Sequence, residues 1–175
     1  MPLLQNEQIR LRALEPEDLP LLYRWENDTT AWSVGNTLAP YSQHVLREYI
    51  IESRQDIYTL KQLRLMIEVI AEKQTIGMID LFDFDPHNRR AGVGILIDPD
   101  WQQNGWATEA LKLLIDYAFS FLKLHQLYAH IPESNEASNR LFTHCGFRET
   151  GRLSDWITTE EGYEDVIIRQ LRNPG

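Results

Sequence analysis

The stretch from Ala91 to Leu122 constrains this chain more than any other. It reads as a strand, a tight glycine-bearing loop and a long amphipathic helix in direct succession. Ala91 to Asp98 is a mostly apolar run that stops at Pro99. Beyond the loop, Leu111, Leu114, Ile115, Ala118, Phe119 and Leu122 recur at helical spacing and make one apolar stripe, with Lys112 and Asp116 off it. A strand feeding a one-sided helix calls for a sheet covered by helices, which places the chain among α/β folds.

The remaining segments extend that pattern. Ile9, Leu11 and Ala13 alternate with polar neighbours as in a half-buried strand. Glu15-Pro16-Glu17-Asp18 suits a helix start, with proline and acids in the first turn. Leu19, Leu22, Tyr23 and Glu26 continue it at helical spacing. Ser42 is placed to cap a second helix through Val45, Leu46, Tyr49 and Ile50. Leu65–Ile70 and Thr75–Phe82 read as a hairpin joined by Ala71-Glu72-Lys73-Gln74. A short strand at 127–131 precedes a helix at 135–144 that Gly146 stops. Two further strands, roughly 147–153 and 164–171, close the chain. Residues 1–175 are thus expected to form one α/β domain in the order β-α-α-β-β-β-α-β-α-β-β, a mixed sheet with helices on both faces.

Composition narrows the partners. The net charge of −9 argues against nucleic acid, whose phosphates need a basic footprint. The one cysteine, Cys145, excludes an internal disulfide and fits a reducing compartment. Met1 to Gln8 lacks the basic and apolar regions of a signal peptide, and no apolar segment is long enough to cross a bilayer. A cytoplasmic chain without a membrane partner is expected, with self-association left open. The five histidines show no metal-ligand spacing, so no metal is expected.

The loop after the strand carries the chemistry. Backbone N–H groups at a helix start lack partners and sit at the positive end of the helix dipole, so a phosphate there meets several donors at once. Gly105 lets the backbone approach closely, and Ala107 leaves room for a ligand. Gln102-x-x-Gly105-x-Ala107 resembles the pyrophosphate loop of the GNAT superfamily of N-acetyltransferases. Asn135-x-x-Ser138-x-x-Leu141-Phe142-x-x-x-Gly146-Phe147 resembles that superfamily's second signature. Arg89-Arg90-Ala91 ahead of the loop and Asp116-Tyr117-Ala118-Phe119 after it are similar to the bacterial spermidine N-acetyltransferases. The ending, Gly146 to Gly151 and Gly162-Tyr163-x-Asp165, also suits the alanine N-acetyltransferases of ribosomal proteins.

The resemblance implies acetyl-CoA as co-substrate and an amine as acceptor. It implies that the strand ahead of the loop splays from the strand at 127–131, and that the arm of coenzyme A pairs with backbone groups of Ile95, Leu96 and Ile97 in the gap. Gln102, Gln103, Asn104, Gly105, Trp106 and Ala107 would hold the pyrophosphate, and Asn135 the pantetheine arm. Three departures stand out. The loop has no Arg or Lys, so backbone amides must carry more of the binding. Phe142 stands where many members have a tyrosine that protonates the departing thiolate; the resemblance to the alanine N-acetyltransferases implies that role for Ser138, one turn earlier, directly or through water. Gly92 stands where relatives often carry a glutamate base; Glu68 and Asp80, expected on central strands, are the candidate carboxylates. Trp32 and Tyr41 fall in the region that covers the acceptor site in relatives, and the run 32–37 lacks the acidic cluster of the spermidine enzymes.

The missing base bears on the acceptor. A lysine-like amine with a pKa near 10.4 is uncharged at pH 7 only at a cost of roughly 4–5 kcal/mol, whereas an α-amino group costs about 1 kcal/mol. A small amine or peptide with an α-amino group is therefore expected ahead of spermidine. A non-catalytic acyl-CoA-binding module is the alternative from another class.

Overall fold

The computed structural model describes residues 2–32 and 37–175. Among these residues seven strands form one mixed sheet in the order β1-β2-β3-β4-β5-β7-β6. The strands are β1 (Ile9–Arg12), β2 (Leu63–Val69), β3 (Gln74–Asp85), β4 (Arg90–Ile97), β5 (Gln126–Pro132), β6 (Arg148–Thr159) and β7 (Gly162–Arg172). The helices are α1 (Leu19–Glu26), α2 (Gln43–Glu52), α3 (Ile57–Leu60), α4 (Trp106–Asp116) and α5 (Glu136–His144). Only β4 and β5 run parallel; every other neighbouring pair is antiparallel.

Strand alternation divides the core between the two faces. Leu65, Ile67, Ile79, Leu81, Val93 and Ile97 meet Ala110, Leu111 and Leu114 of α4 and Phe142 of α5 in the larger core. Met66 and Met78, on the opposite face, meet Leu22 and Trp25 of α1 and Leu46 and Ile50 of α2. The sheet is therefore covered on both sides, as the sequence predicts, with α1 and α2 on one face and α4 on the other.

Local signals hold at most helix ends. The Ser42 side chain accepts from the Val45 amide at the start of α2, and Gly146 ends α5 with φ of 96°. Four features differ from expectation. Tyr23, expected on the apolar side of α1, is 42% exposed, and Trp25 is buried in its place. The α4 stripe continues past Asp116 as a π turn over Tyr117–Phe121, so its last residues reach the core through a wider helix. The one-turn α3, N-capped by Asp56, has no apolar period long enough to announce it. The closing strands are longer than the sequence suggests: they form a hairpin past Leu153, with bulges that shift the register at Glu149/Gly151 and Leu153/Ile157. Bulges break the period-two pattern on which a strand boundary is read.

Candidate functional site

The parallel pair opens into a gap. β4 and β5 are in register only at Arg90↔Gln126, Ala91↔Leu127 and Gly92↔Tyr128. Beyond Gly92 they diverge, while β5 stays paired with β7 through Pro132↔Val166. Val93 to Ile97 therefore have no strand partner on the β5 side. Ile95, Leu96 and Ile97 sit on this open edge, with Ile95 and Ile97 packed into the larger core and Leu96 against the smaller. Ligands settle where parallel strands part at their carboxyl ends, because the loops and helix starts converge there.

Two helices begin at that end, and they begin differently. Asn135 caps α5, its side chain accepting from the Ser138 amide at 3.2 Å. The residue ahead of α4 is Gly105, with φ of 81° and no side-chain cap. The first amides of α4 are thus left for another acceptor, which is what an anion requires. Gln103, Asn104 and Gly105 are exposed, and Gln103 also takes a positive φ of 67°. A side chain built on Gly105 would meet nothing within 4 Å, so the space before the helix is open. Trp106 and Ala107 are half-buried and pack on the larger core. The Gln102 side chain turns back to the Ile97 carbonyl at 3.0 Å, which makes it a brace of the loop rather than a free donor.

Ser138 lies half-buried in the first turn of α5. Phe142, one turn on, is 3% exposed and packs edge-on against Phe147 at 4.9 Å, as an apolar core residue. Asn139, between them, fixes the helix: its amide donates to the Pro132 and Asn135 carbonyls, and its oxygen accepts from Arg169. Asn139 ties together the end of β5, the start of α5 and the middle of β7.

On the face that carries α1 and α2, the floor beside the gap is Gly92 and Gly94. Their β3 partners are Phe82 and Asp80. Phe82 lies over Gly92 and meets Tyr128 edge-on at 6.2 Å. Asp80 is held in a fork by Arg64 at 2.8 and 2.7 Å. Arg64 also reaches Glu26 and lies over the Tyr49 ring at 5.3 Å. Burial pushes the Tyr49 hydroxyl up to about 12, with Arg64 opposing and the two carboxylates adding. The indole of Trp32 donates to the Glu26 carbonyl at 2.9 Å, and Tyr41 exchanges backbone hydrogen bonds with the Asn27 side chain. Both residues thus flank the end of α1. Residues 33–36, on which most of the missing acidic cluster was read, lie outside the described residues.

Glu68 is a correction. The structure does not bring it to the gap: it lies on β2, two strands from β4, and its carboxylate is taken by Arg10 and Arg12. Arg12 also forks onto Asp18 at 2.9 and 2.8 Å. These bonds join the edge of the sheet to the start of α1, so Glu68 is a structural ion-pair residue. The sequence places Glu68 on a strand but does not tell how far that strand sits from the gap.

Sequence reasoning missed Arg64, Phe82 and Asp98. Asp98 follows the last residue of β4 and is 5% exposed. It accepts from the Trp25 indole at 2.9 Å, the Asp100 amide at 3.0 Å and the Arg24 guanidinium. Burial alone would raise the Asp98 carboxyl; these three donors outweigh it and hold it below the usual carboxylate range. A signal existed for two of them: Arg64 is the one basic residue in a mostly apolar strand, and Asp98 is an acid wedged between Ile97 and Pro99.

An open strand edge, an uncapped helix start and a hydroxyl-bearing helix lie together at one end of a splayed sheet, an arrangement able to receive an extended anionic ligand with a reacting group beside it. Residues 8–148 match the model of the acetyltransferase (GNAT) domain, so the chain belongs to the GNAT family of acetyltransferases and is an acetyl-CoA-dependent N-acetyltransferase. It is 30% identical to spermidine N(1)-acetyltransferase of Vibrio cholerae over 92% of its length and 91% of that protein. A protein of Bacillus subtilis named as a ribosomal N-acetyltransferase is 28% identical over 95% of this chain and 92% of its own length. The crystal structure of the Vibrio cholerae spermidine enzyme in complex with CoA and spermine superposes with a TM-score of 0.86 at 29% identity, covering 95% of this chain and 96% of that one. A dodecameric structure of a spermidine N-acetyltransferase from Vibrio cholerae superposes at 0.78, also at 29% identity and covering 95% of both chains. No helix among the described residues is long and apolar enough to cross a membrane.

Proposed function

We propose that this chain acetylates an α-amino group on a small molecule or peptide, by direct attack of the amine on the acetyl-CoA thioester. The pantetheine arm lies along Ile95, Leu96 and Ile97 in the gap, beside Asn135. The pyrophosphate sits on the amides from Gln103 to Ala107. A β4 amide faces the carbonyl oxygen as charge develops on it. The amine forms the new C–N bond and the C–S bond breaks; Ser138 donates its hydroxyl proton to the sulfur and is reprotonated from water, which takes up the proton that the amine loses. Proximity supplies much of the rate.

One observation carries the choice of acceptor: the Phe82 ring fills the space over Gly92, so the acceptor face has an aromatic ring where a base would stand. Asp80, opposite Gly94, and Glu26 are both engaged by Arg64. An amine that is already partly uncharged at neutral pH needs no strong base. Spermidine is the second reading, favoured by relatives of that name with 30% identity over most of the chain. The dodecameric relative likewise supports self-association. Comparing kcat/KM for N-terminal peptides, amino acids and spermidine separates the two acceptor classes. We expect α-amino acceptors to lead, with a pH-rate profile that rises toward the acceptor's own pKa. Efficient turnover of spermidine with inert α-amino acceptors would overturn this reading.

A further inference from the structure

The loop from Asp98 to Gly105 contains no lysine or arginine, so its grip on a pyrophosphate depends on where its backbone amides point. Most of its contacts are internal or to its own strand. The Trp101 amide bonds the Asp98 carbonyl, the Asn104 side chain bonds the Gln102 carbonyl, and Gln102 bonds Ile97. The Asp98 side chain behaves differently. Its carboxylate holds the Asp100 amide inside the loop and, at the same time, Trp25 and Arg24 of α1. Trp25 is itself locked into the core between the sheet and α2. Asp98 is also one of only two buried charged residues among those described, the other being Asp18 at 3% exposure. Asp18 sits at the start of α1, where it pairs with Arg12. A buried carboxylate that satisfies three donors from two elements fixes the distance between them.

We propose that Asp98 is a positioning residue for acetyl-CoA: it clamps the pyrophosphate loop to α1 and so presets the amides that receive the phosphates. This rests on the assignment of that loop to the pyrophosphate. Asparagine cannot replace it. The Asn oxygen can accept from Trp25 or from the Asp100 amide, but its NH2 then faces another donor, and the loop loses one of its two attachments. A preset site binds more tightly because ordering is not subtracted from the contact energy.

The test is calorimetric titration with acetyl-CoA, paired with thermal melting, on Asp98→Asn, Trp25→Phe, Asp18→Asn and Gly105→Val. Asp98→Asn is expected to weaken acetyl-CoA about tenfold or more, raising its KM while kcat at saturating acetyl-CoA stays within about twofold. Trp25→Phe removes one bond to the same carboxylate and is expected to weaken binding several-fold. Asp18→Asn lowers the melting temperature but leaves acetyl-CoA affinity unchanged, which separates positioning from plain loss of stability. If Asp98→Asn does not fold, Trp25→Phe decides: unchanged affinity in that folded variant overturns the proposal. A folded Asp98→Asn with wild-type affinity overturns it too, as does an equal loss of affinity in Asp18→Asn. Unchanged affinity in Gly105→Val removes the loop assignment beneath it. Weakening in Gly105→Val without weakening in Asp98→Asn rejects the clamp alone.

Discussion

The ring of Phe82 occupies the space that a side chain at position 92 would need: a β-carbon built on Gly92 would lie 2.4 to 2.9 Å from three of its ring atoms. The two residues face each other across β3 and β4, at the last rung before β4 leaves β5. Glycine and phenylalanine here form one unit, and the size of one sets the size of the other.

That unit is measurable as a coupling. Gly92→Ala alone is expected to destabilise by about 1–3 kcal/mol through overpacking. In a Phe82→Leu background the same change should cost under about 1 kcal/mol, because the ring atoms it meets are gone. Urea unfolding of the four proteins gives the interaction energy. Additive effects would show that the ring moves aside freely.

The start of α4 makes a second prediction. Gly105 holds φ of 81°, a conformation that costs a side-chain-bearing residue about 1–2 kcal/mol, and its side-chain space is open. Gly105→Val should therefore lower stability by about that amount without unfolding the protein. It should weaken acetyl-CoA by an order of magnitude or more in calorimetry, since the valine projects where the phosphates approach.

Ser138 makes a third. A proton given to the departing sulfur matters only in the transition state. Ser138→Ala should lower kcat while the affinity for acetyl-CoA stays near wild type. The Asn135 cap to the Ser138 backbone amide survives the change, so the melting temperature should hold. An unchanged kcat would leave Ser138 as a helix-surface serine.

The fourth concerns acid. The Asp98 carboxyl is held below its ordinary value of 3.8 in the folded chain, by donors that outweigh its burial. A depressed folded pKa stabilises above the unfolded value and is lost as pH falls through the folded one. The stability gap between wild type and Asp98→Asn, about 2 kcal/mol for a charged hydrogen-bond acceptor, should be constant above about pH 5 and shrink below about pH 4. Urea unfolding across that range checks it; a gap still at full size at pH 2 would contradict the charge-based account.

The sequence by itself determined the elements and much of their chemistry. Alternation in β1, the β-rich or apolar runs of β2 to β4, the stripe of α4, and the caps at Ser42, Asn135 and Gly146 are local consequences of side-chain shape and backbone hydrogen bonding, so they can be read without the fold. The glycine-bearing loop and the Asn135 helix are local in the same sense, and with them came the family and the co-substrate. The tertiary structure decided distance. Glu68 and Asp80 look alike in sequence, two acids on neighbouring strands, yet strand order puts one on β2 beside Arg12 of the edge strand and the other next to Gly94. Phe82 matters to Gly92 only through the register of β3 and β4, and Trp25 matters to Asp98 only because α1 crosses the end of the sheet. Such pairings join residues ten to more than seventy positions apart. They are set by packing that no local period encodes, which is why the partners of Asp80, Gly92 and Asp98 came from the fold.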